Sequence, residues 1–419
     1  MKQWSWILRR IVQQIWFRAA LISAAGVALA ILAAIITPYL PYSFAIEIGQ
    51  KSVGTILEIM ASSMLAVTTF SLTAMVSAYS SATQLATPRA TQLMVSDPTS
   101  QNALSTFLGA FVFSMIGIIG LNTGAYGNSG RIILFAATVA IVLLVVGTLL
   151  RWIGHITAFG RMADVIDRVE NAATRAMTEF AARPHLCGRP AVAVPDTATP
   201  IRATETGYIT HIDAEALGRL AEEQGVSLHV AALPGSMMHP ARPLLHVDGK
   251  VEDEARQAMI KAFTIERHRR FDQDPRLGVI ALAEIASRAL SPAVNDPGTG
   301  VEVLNALLRV FLTLRPGVSA EEKGEDEESR VYPVHIGVPS MDDMLADAFG
   351  PIIRDGSAQV EVALRLTNTL WALHAALPDE RAVIVRWAGR HAQRVEDAIE
   401  DPNDLNDFQD SYKRLWHRG

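Results

Sequence analysis

Cysteine is nearly absent: the chain of 419 residues holds one, Cys187. A single thiol forms no internal disulfide and no cysteine-based metal cluster. Basic charge is not in excess either. Against 43 Asp and Glu stand 37 Lys and Arg, giving a net charge of −6 and a pI near 6.0. The basic face of a nucleic-acid binder is therefore not expected. The common catalytic signatures are missing too: no Walker loop, no dinucleotide glycine pattern after a strand, no HExxH and no GxSxG. Zinc-type Cys/His spacing is also lacking. An enzyme is unsupported, no catalytic residue is singled out, and no metal, cofactor or nucleic-acid partner is expected.

What the chain does have is apolar length. It is 50% hydrophobic with a mean hydropathy of +0.22, and the excess lies in the N-terminal part. Four stretches, uncharged except for Arg151 at the end of the last, reach the roughly 20 residues that cross a bilayer: 19–37, 59–85, 103–121 and 132–152. The first is read as a retained anchor rather than a signal peptide, because three more follow and its basic flank is long. Lys2, Arg9, Arg10 and Arg18 precede it, Arg89 lies between the second and third, and Arg151 stands at the end of the fourth, with Arg161 and Arg168 after it. By the positive-inside bias both termini are cytoplasmic, as in a multi-pass protein of a bacterial inner membrane. Aromatic anchors are expected at the two interfaces: Trp4, Trp6, Trp16 and Trp152 inside, Tyr39, Tyr42, Phe44 and Tyr126 outside.

The second stretch, EIMASSMLAVTTFSLTAMVSAYSSATQL, is dense in Ser and Thr. At about 100° per residue, Thr55, Glu58, Ser62, Ala66, Thr69, Thr73, Ser77, Ser80 and Gln84 fall on one narrow stripe, with Leu65, Leu72, Val76 and Tyr79 on a flank. Two arrangements fit. Small polar faces let membrane helices pack closely. A hydroxyl-lined stripe with an acidic ring at its mouth is also how copies of one helix build a cation-permeable path.

Beyond 153 the pattern becomes that of a soluble region. The helical spacing of Arg161 to Phe180 suggests that the fourth span continues past the membrane, followed by a proline-rich loop, so that 154–200 is a connector. Residues 201–271 read as a small β-rich module: a strand, a short helix ended by Gly225, two further strands around a Pro-Gly turn, a helix, and the charged strand FTIERHRRF. The pattern resembles the hairpin-rich barrel of lipoyl- and biotin-carrier modules in shape; the turn that would carry a modified lysine holds Met237, Met238 and His239 instead, so no swinging cofactor is expected. Residues 272–419 read as mainly helical, interrupted by the acidic linker 317–330. Asp274-Pro275 and Asp296-Pro297 are helix starts, a capping carboxylate before a proline at the first helical position.

Several motifs together give a family likeness. FDQDPRLGVIALAEIASRALSPAVNDPGTG is the most specific, joined by AFGPIIRDG, the TPR triplet with LSTFLGAFVFSMIGI, and LPGSMMHPARPLL. With these the chain resembles a bacterial family of predicted membrane proteins, the domain of unknown function 2254 family, over most of its length. The resemblance implies four membrane spans and a cytosolic region, and brings no activity or catalytic residue.

The expected fold is thus a four-helix transmembrane bundle followed by a cytosolic α+β region with a small β-barrel-like module and a helical C-terminal part. The first functional expectation is a homo-oligomeric ion channel in the lipid bilayer. Glu58, Ser62, Ala66, Thr69, Thr73, Ser77, Ser80 and Gln84 would line a cation path that the cytosolic domains regulate. The second is a membrane-anchored sensor or scaffold that takes a cytosolic ligand or partner around Asn295, Asp296 and Arg354, with Asp272, Asp274 and Ser291 in the same motifs. The third is a membrane-bound enzyme using acidic residues at Asp272, Asp274 and Asp296.

Overall fold

The structure, a computed structural model, describes residues 17, 20–25, 27, 28, 31, 50–85, 87–95, 97–124, 126, 128–316 and 331–416. The expected first span, 19–37, lies outside the described residues except for helical positions between 20 and 31. The acidic linker 317–330 lies wholly outside them, as do Trp4, Trp6, Trp16, Tyr39, Tyr42 and Phe44. The chain divides near Asp164 into two compact units.

The first unit is helical: α1 (Gln50–Leu85), α2 (Pro88–Val95), α3 (Pro98–Asn122) and α4 (Asn128–Ala158). Three stretches are long and apolar enough to cross a membrane, Lys51–Thr83, Pro98–Asn122 and Gly130–Thr157. They coincide with the second, third and fourth expected spans; a fourth crossing is not among the described residues. Helix α3 is the central element. Its Ala103, Phe107, Ala110, Phe113 and Leu121 are buried, and so are Ser100 and Ser105. Small residues let its neighbours approach: a Cβ on Gly117 would stand 3.0 Å from Leu57 Cδ1 of α1. Trp152 and Tyr126, expected as interfacial anchors, are instead buried in this bundle.

Nor does the fourth span continue into the next helix. Helix α4 stops at Ala158, Gly160 turns the chain at φ +85°, and α5 (Met162–Ala182) begins afresh. The turn needs glycine twice over, for its positive φ and because a Cβ there would lie 2.9 Å from the Ala78 carbonyl oxygen.

In the second unit α5 buries one face, Val165, Ile166, Val169, Ala172, Ala173, Ala176 and Met177. Eight short strands follow in two sheets: β1 (Arg189–Pro190), β2 (Thr199–Arg202), β3 (Gly207–Ile212), β4 (Ser227–Val230), β5 (Met237–Met238), β6 (Pro243–Asp248), β7 (Phe263–Glu266) and β8 (Val334–Ile336). One sheet runs β1-β8-β4-β6-β2 and the other β5-β3-β7. The strands form two sheets where a β-barrel-like module is expected, and no closed barrel is shown among the described residues. The five-stranded one takes β1 and β8 from outside residues 201–271, and both pair in parallel with their neighbours. Helices α6 (Ala214–Gln224) and α7 (Asp253–Lys261) accompany the sheets. Asp213 caps α6 at the Ala216 N–H, and Gly225 ends it at φ +63°. Leu217, Ala221 and Met259 of these helices join Leu228, Leu245, Val247, Val334 and Ile336 of the sheet in one apolar core.

The rest is helical: α8 (Pro275–Ala289), α9 (Pro297–Leu312), α10 (Met341–Gly356), α11 (Val360–Ala376), α12 (Arg381–Ala398) and α13 (Pro402–Trp416). Helix α8 lies tight on α5, because Gly278 leaves room only for backbone: a Cβ there would be 2.3 Å from Ala173 Cβ. Arg309 of α9 holds both carboxylate oxygens of Glu170 on α5, at 2.6 and 2.7 Å.

Between α11 and α12 lies a buried imidazole. His391 is 1% exposed, its Nε2–H donates to the Ala363 carbonyl at 3.0 Å, and its edge meets Phe408 of α13. Burial lowers its pKa to about 4, against the opposing pull of that carbonyl. The unfolded chain, with an ordinary histidine, therefore binds more protons between pH 4 and 6.5, so stability falls as pH falls. The stabilisation is fully present above pH 6.5, and about 3 kcal/mol is lost on reaching pH 4. Denaturant titrations of wild type and His391→Gln from pH 4.5 to 8 test this: the difference between them should shrink on acidification, and a constant difference contradicts it.

Candidate functional site

The polar stripe of α1 stands opposite the face that α1 buries. Val53, Leu57, Met60, Met64, Ser71 and Ala82 are buried against the bundle. On a helical projection they centre half a turn from Thr73. Thr55, Glu58, Ser62, Ala66, Thr69, Thr73, Ser77 and Ser80 are all exposed; the Gln84 side chain lies outside the described residues. Four of the hydroxyl protons are used locally. Thr55 donates to the Lys51 carbonyl at 2.9 Å, Ser62 to Ile59 at 3.1 Å, Thr69 to Leu65 at 3.0 Å and Thr73 to Thr69 at 3.0 Å. What faces outward is therefore a ribbon of hydroxyl lone pairs and small side chains, with Glu58 toward one end. Apolar margins flank it, Phe70 on one side and Leu65 and Leu72 on the other, each at least half exposed.

A second polar feature of this unit was not read from the sequence. Asp97 is buried, accepts the Ser100 N–H at 2.7 Å as the cap of α3, and meets His155 Nε2 of α4 at 2.9 Å. His155 also packs against the rings of Trp152 and Phe159. The available signal was Asp97-Pro98, the same helix-start dipeptide recognised twice further along.

In the second unit FDQDP closes around one carboxylate. Asp274 is 2% exposed. It takes Arg269 Nε at 2.7 Å and Arg269 Nη2 at 3.0 Å, and caps α8 by accepting the N–H groups of Arg276 and Leu277, each at 3.2 Å. Burial pushes its pKa up; the guanidinium and the two backbone donors pull it back. The Pro234-Gly235 turn presses onto this group, and a Cβ on Gly235 would stand 2.3 Å from Asp274 Oδ2. Gln273 completes the closure, accepting the Ile212 N–H of β3 at 2.9 Å. Arg276 reaches Asp347 of α10 at 2.6 Å.

Asp272 is exposed instead and lines a small cleft, with Phe180, Leu186, Leu233, Pro234 and Ile336 among its apolar walls. Leu186 and the half-buried Cys187 beside it hold positive φ, +49° and +70°, an unfavourable conformation for non-glycine residues.

The corner SRALSPAVNDPGTG joins α8 to α9. Ser291 Oγ donates to the Arg288 carbonyl at 2.7 Å, and the Asn295 N–H donates to the Ser291 carbonyl at 2.8 Å. Asn295 supplies the left-handed residue, φ +51°, that reverses the chain, and its Oδ1 accepts Gln359 Nε2 at 2.9 Å. Asp296 caps α9 through the Thr299 N–H and hydroxyl, at 3.1 and 2.6 Å, and the Thr299 hydroxyl leads in lowering its pKa. Arg354 makes neither contact. It pairs with Asp355 at 2.8 Å and meets Ser287 Oγ at 3.4 Å, and Ser287 also donates to Asp355. Arg354 in turn holds the Asp355 carboxyl below its usual range. Between the two networks sits Leu290, with Gly300 and Gly356 on either side: a Cβ on either would approach it to 2.9 Å.

The candidate residues therefore separate. Asp274 caps the start of α8, whose 15 residues span roughly 22 Å, while Asp296 lies past its other end and caps α9. Among the described residues no three His, Cys, Asp or Glu side chains are grouped to hold a metal.

Comparison with known proteins bears on the whole chain. A family model described as "Predicted membrane protein (DUF2254)" matches residues 12–372. Two uncharacterized mycobacterial proteins, Mb1321c of Mycobacterium bovis and Rv1290c of Mycobacterium tuberculosis, are each 22% identical over 344 residues. Each alignment covers 74% of this chain and 65% of the relative, so the chain spans about two thirds of the length of the curated proteins it matches. No solved structure matches it.

The two capping aspartates should respond differently to truncation. Asp274→Ala strands a mostly buried Arg269 and removes the cap, for a loss of about 3 kcal/mol or more. Asp296→Ala removes an exposed cap, for about 1 kcal/mol. Thermal unfolding of the two variants checks the ranking.

Proposed function

Because the chain belongs to the DUF2254 family of predicted membrane proteins, we propose a membrane function for it: a homo-oligomeric, cation-permeable channel in a bacterial inner membrane, with both termini in the cytoplasm. The α1 ribbon of each copy faces a shared path, and the second unit regulates opening. One observation carries this reading. The stripe from Glu58 to Ser80 lies opposite the buried face of α1 and is exposed along its described length. In a lone protomer that ribbon would face lipid. In a ring of copies the apolar margins at Phe70, Leu65 and Leu72 can meet neighbours, while the ribbon meets water. Outward hydroxyl lone pairs suit a partly hydrated cation, and a ring of Glu58 carboxylates would concentrate cations at the mouth. The helical spans suit an inner membrane, and the lysine and arginine distribution supports the orientation.

A second reading has one observation in its favour. Four of the stripe hydroxyls already bond their own helix, so the ribbon can also pack dry against another copy. The protein would then be an anchored sensor or scaffold, with the cleft beside Asp272 as its ligand site in place of the Asn295–Arg354 region. The enzyme reading has the least support, since Asp274 is committed to Arg269 and Asp296 to Thr299.

Recordings of the purified protein in planar bilayers test the proposal. Cation-selective currents are expected, and Glu58→Gln should cut the cation-over-anion preference several-fold. An assembled oligomer that passes no current overturns the channel; unchanged selectivity in Glu58→Gln removes that residue from the mouth.

A further inference from the structure

Three histidines stand in one row across the five-stranded sheet. His246 of β6 is the register partner of His229 of β4, and His229 is the register partner of His335 of β8. Paired residues on neighbouring strands project to the same face. Leu228, Val247, Val334 and Ile336, at alternate positions, project to the other face and form the core with α6 and α7. The His229 and His335 rings stack at 4.8 Å and 14°. His229 is only 5% exposed.

Few hydrogen bonds hold these rings. His335 Nδ1–H donates to the Pro190 carbonyl of β1 at 2.9 Å. The Nδ1 atoms of His229 and His246 are buried without a hydrogen-bond partner. The charged groups around the row are mixed. Arg189 of β1 is the register partner of His335. Arg202 follows two residues after Pro200, the register partner of His246 on β2. Asp248 of β6 shares the face, accepting the Thr197 hydroxyl at 3.5 Å. Burial first, then His335 and His246, lower the pKa of His229, with Asp248 opposing.

The strand at stake is unusual. β8 is three residues long, arrives after the segment 317–330, and inserts between β1 and β4, parallel to both. It leads directly to Ser340, the cap of α10. Its short ladder is thus the sheet's direct link to the helices that follow.

We propose that the His229–His335 stack is a proton-sensitive latch that holds β8 in the sheet at neutral pH and releases it on acidification. With neutral rings the stack is apolar and closed. Acidification favours the protonated imidazole, and a proton on His229 within the stack places a cation against a neighbouring ring with no carboxylate bonded to it. Exposing the rings to water relieves this, and of the two strands that carry the stack β8 is the shorter, three residues against the four of β4. The sign follows from a lowered folded-state pKa: the latch is fully closed above the ordinary histidine pKa and weakens as pH falls below it.

Hydrogen exchange by mass spectrometry on the full-length protein in nanodiscs tests this, with rates corrected for intrinsic pH dependence. Between pH 7.5 and 5.5 the peptide covering 331–339 should lose protection about tenfold, while peptides of α8 keep theirs. In His229→Phe, where a ring remains to stack but no proton is taken up, the change should be less than twofold. Unchanged exchange in the wild type, or an equal loss in His229→Phe, overturns the latch. Should His229→Phe lack β8 protection already at pH 7.5, His335→Gln, which keeps a donor for Pro190, is read in its place against the same two outcomes.

Discussion

The carboxylate of Asp274 joins parts of the second unit that no local rule would connect. It receives both arms of Arg269 after β7, the first amides of α8, and the pressure of the Gly235 turn before β5. An ion removed from water costs several kcal/mol unless its lone pairs are taken up, and here four donors take them up. Once α8 is set in direction, its neighbours follow from small residues along it. Gly278 admits Ala173 of α5 near one end, and at the other Leu290 seats between Gly300 of α9 and Gly356 of α10. The long motif from FDQDP to PGTG is thus one mechanical unit: a fixed start, a helix, and a fitted end.

The same dipeptide recurs with different loads. Asp97, Asp274, Asp296 and Asp401 each precede a proline that opens a helix, and each carboxylate accepts a backbone amide of the first turn. Beyond that they diverge: Asp97 reaches His155, Asp274 reaches Arg269, and Asp296 reaches only its own Thr299. Capping depends on neighbours within three residues, so it was legible in the sequence. The second partner lies across the fold and was not. For the same reason the corner at Asn295 looked richer in chemistry than its local duties suggest. Asn295 is there for a left-handed turn and Asp296 for a cap, two separate requirements that fall on adjacent residues.

Long-range pairing explains what else the sequence left hidden. The three helices among the described residues that are long and apolar enough to cross a membrane were visible because hydrocarbon length is a composition signal. The strands β3, β4 and β6 were visible from alternation and turns. β1 and β8, of two and three residues, carry no period to detect, and they pair in parallel across about 145 residues of chain. Without them the module reads as a self-contained hairpin barrel; with them it is a sheet threaded by a distant strand. The histidine row was partly hidden likewise: His229 and His246 meet across the β4–β6 pair, but His335 joins them only through that threading.

The polar residues of the first unit divide by what they require of their surroundings. A Ser or Thr that bonds the carboxyl-side oxygens of its own preceding turn has no unmet donor, and costs little whether it faces lipid, protein or water. Most of the α1 ribbon is of this kind, so those hydroxyls alone do not require a hydrated path. Glu58 is different, because a carboxylate has no comparable refuge within its own helix. Helix α1 has 36 residues, roughly 54 Å of length against a hydrocarbon core of about 30 Å. If its excess is shared between both ends, each overhang is about 12 Å, the distance from Gln50 to Glu58. The carboxylate then sits where hydrocarbon gives way to headgroups, with the hydroxyl ribbon running inward from it. In the channel proposed above, an acid at the rim would give water a reason to enter at one end, and a ribbon whose hydroxyl protons are mostly used locally would offer little along the wall to bind an ion tightly.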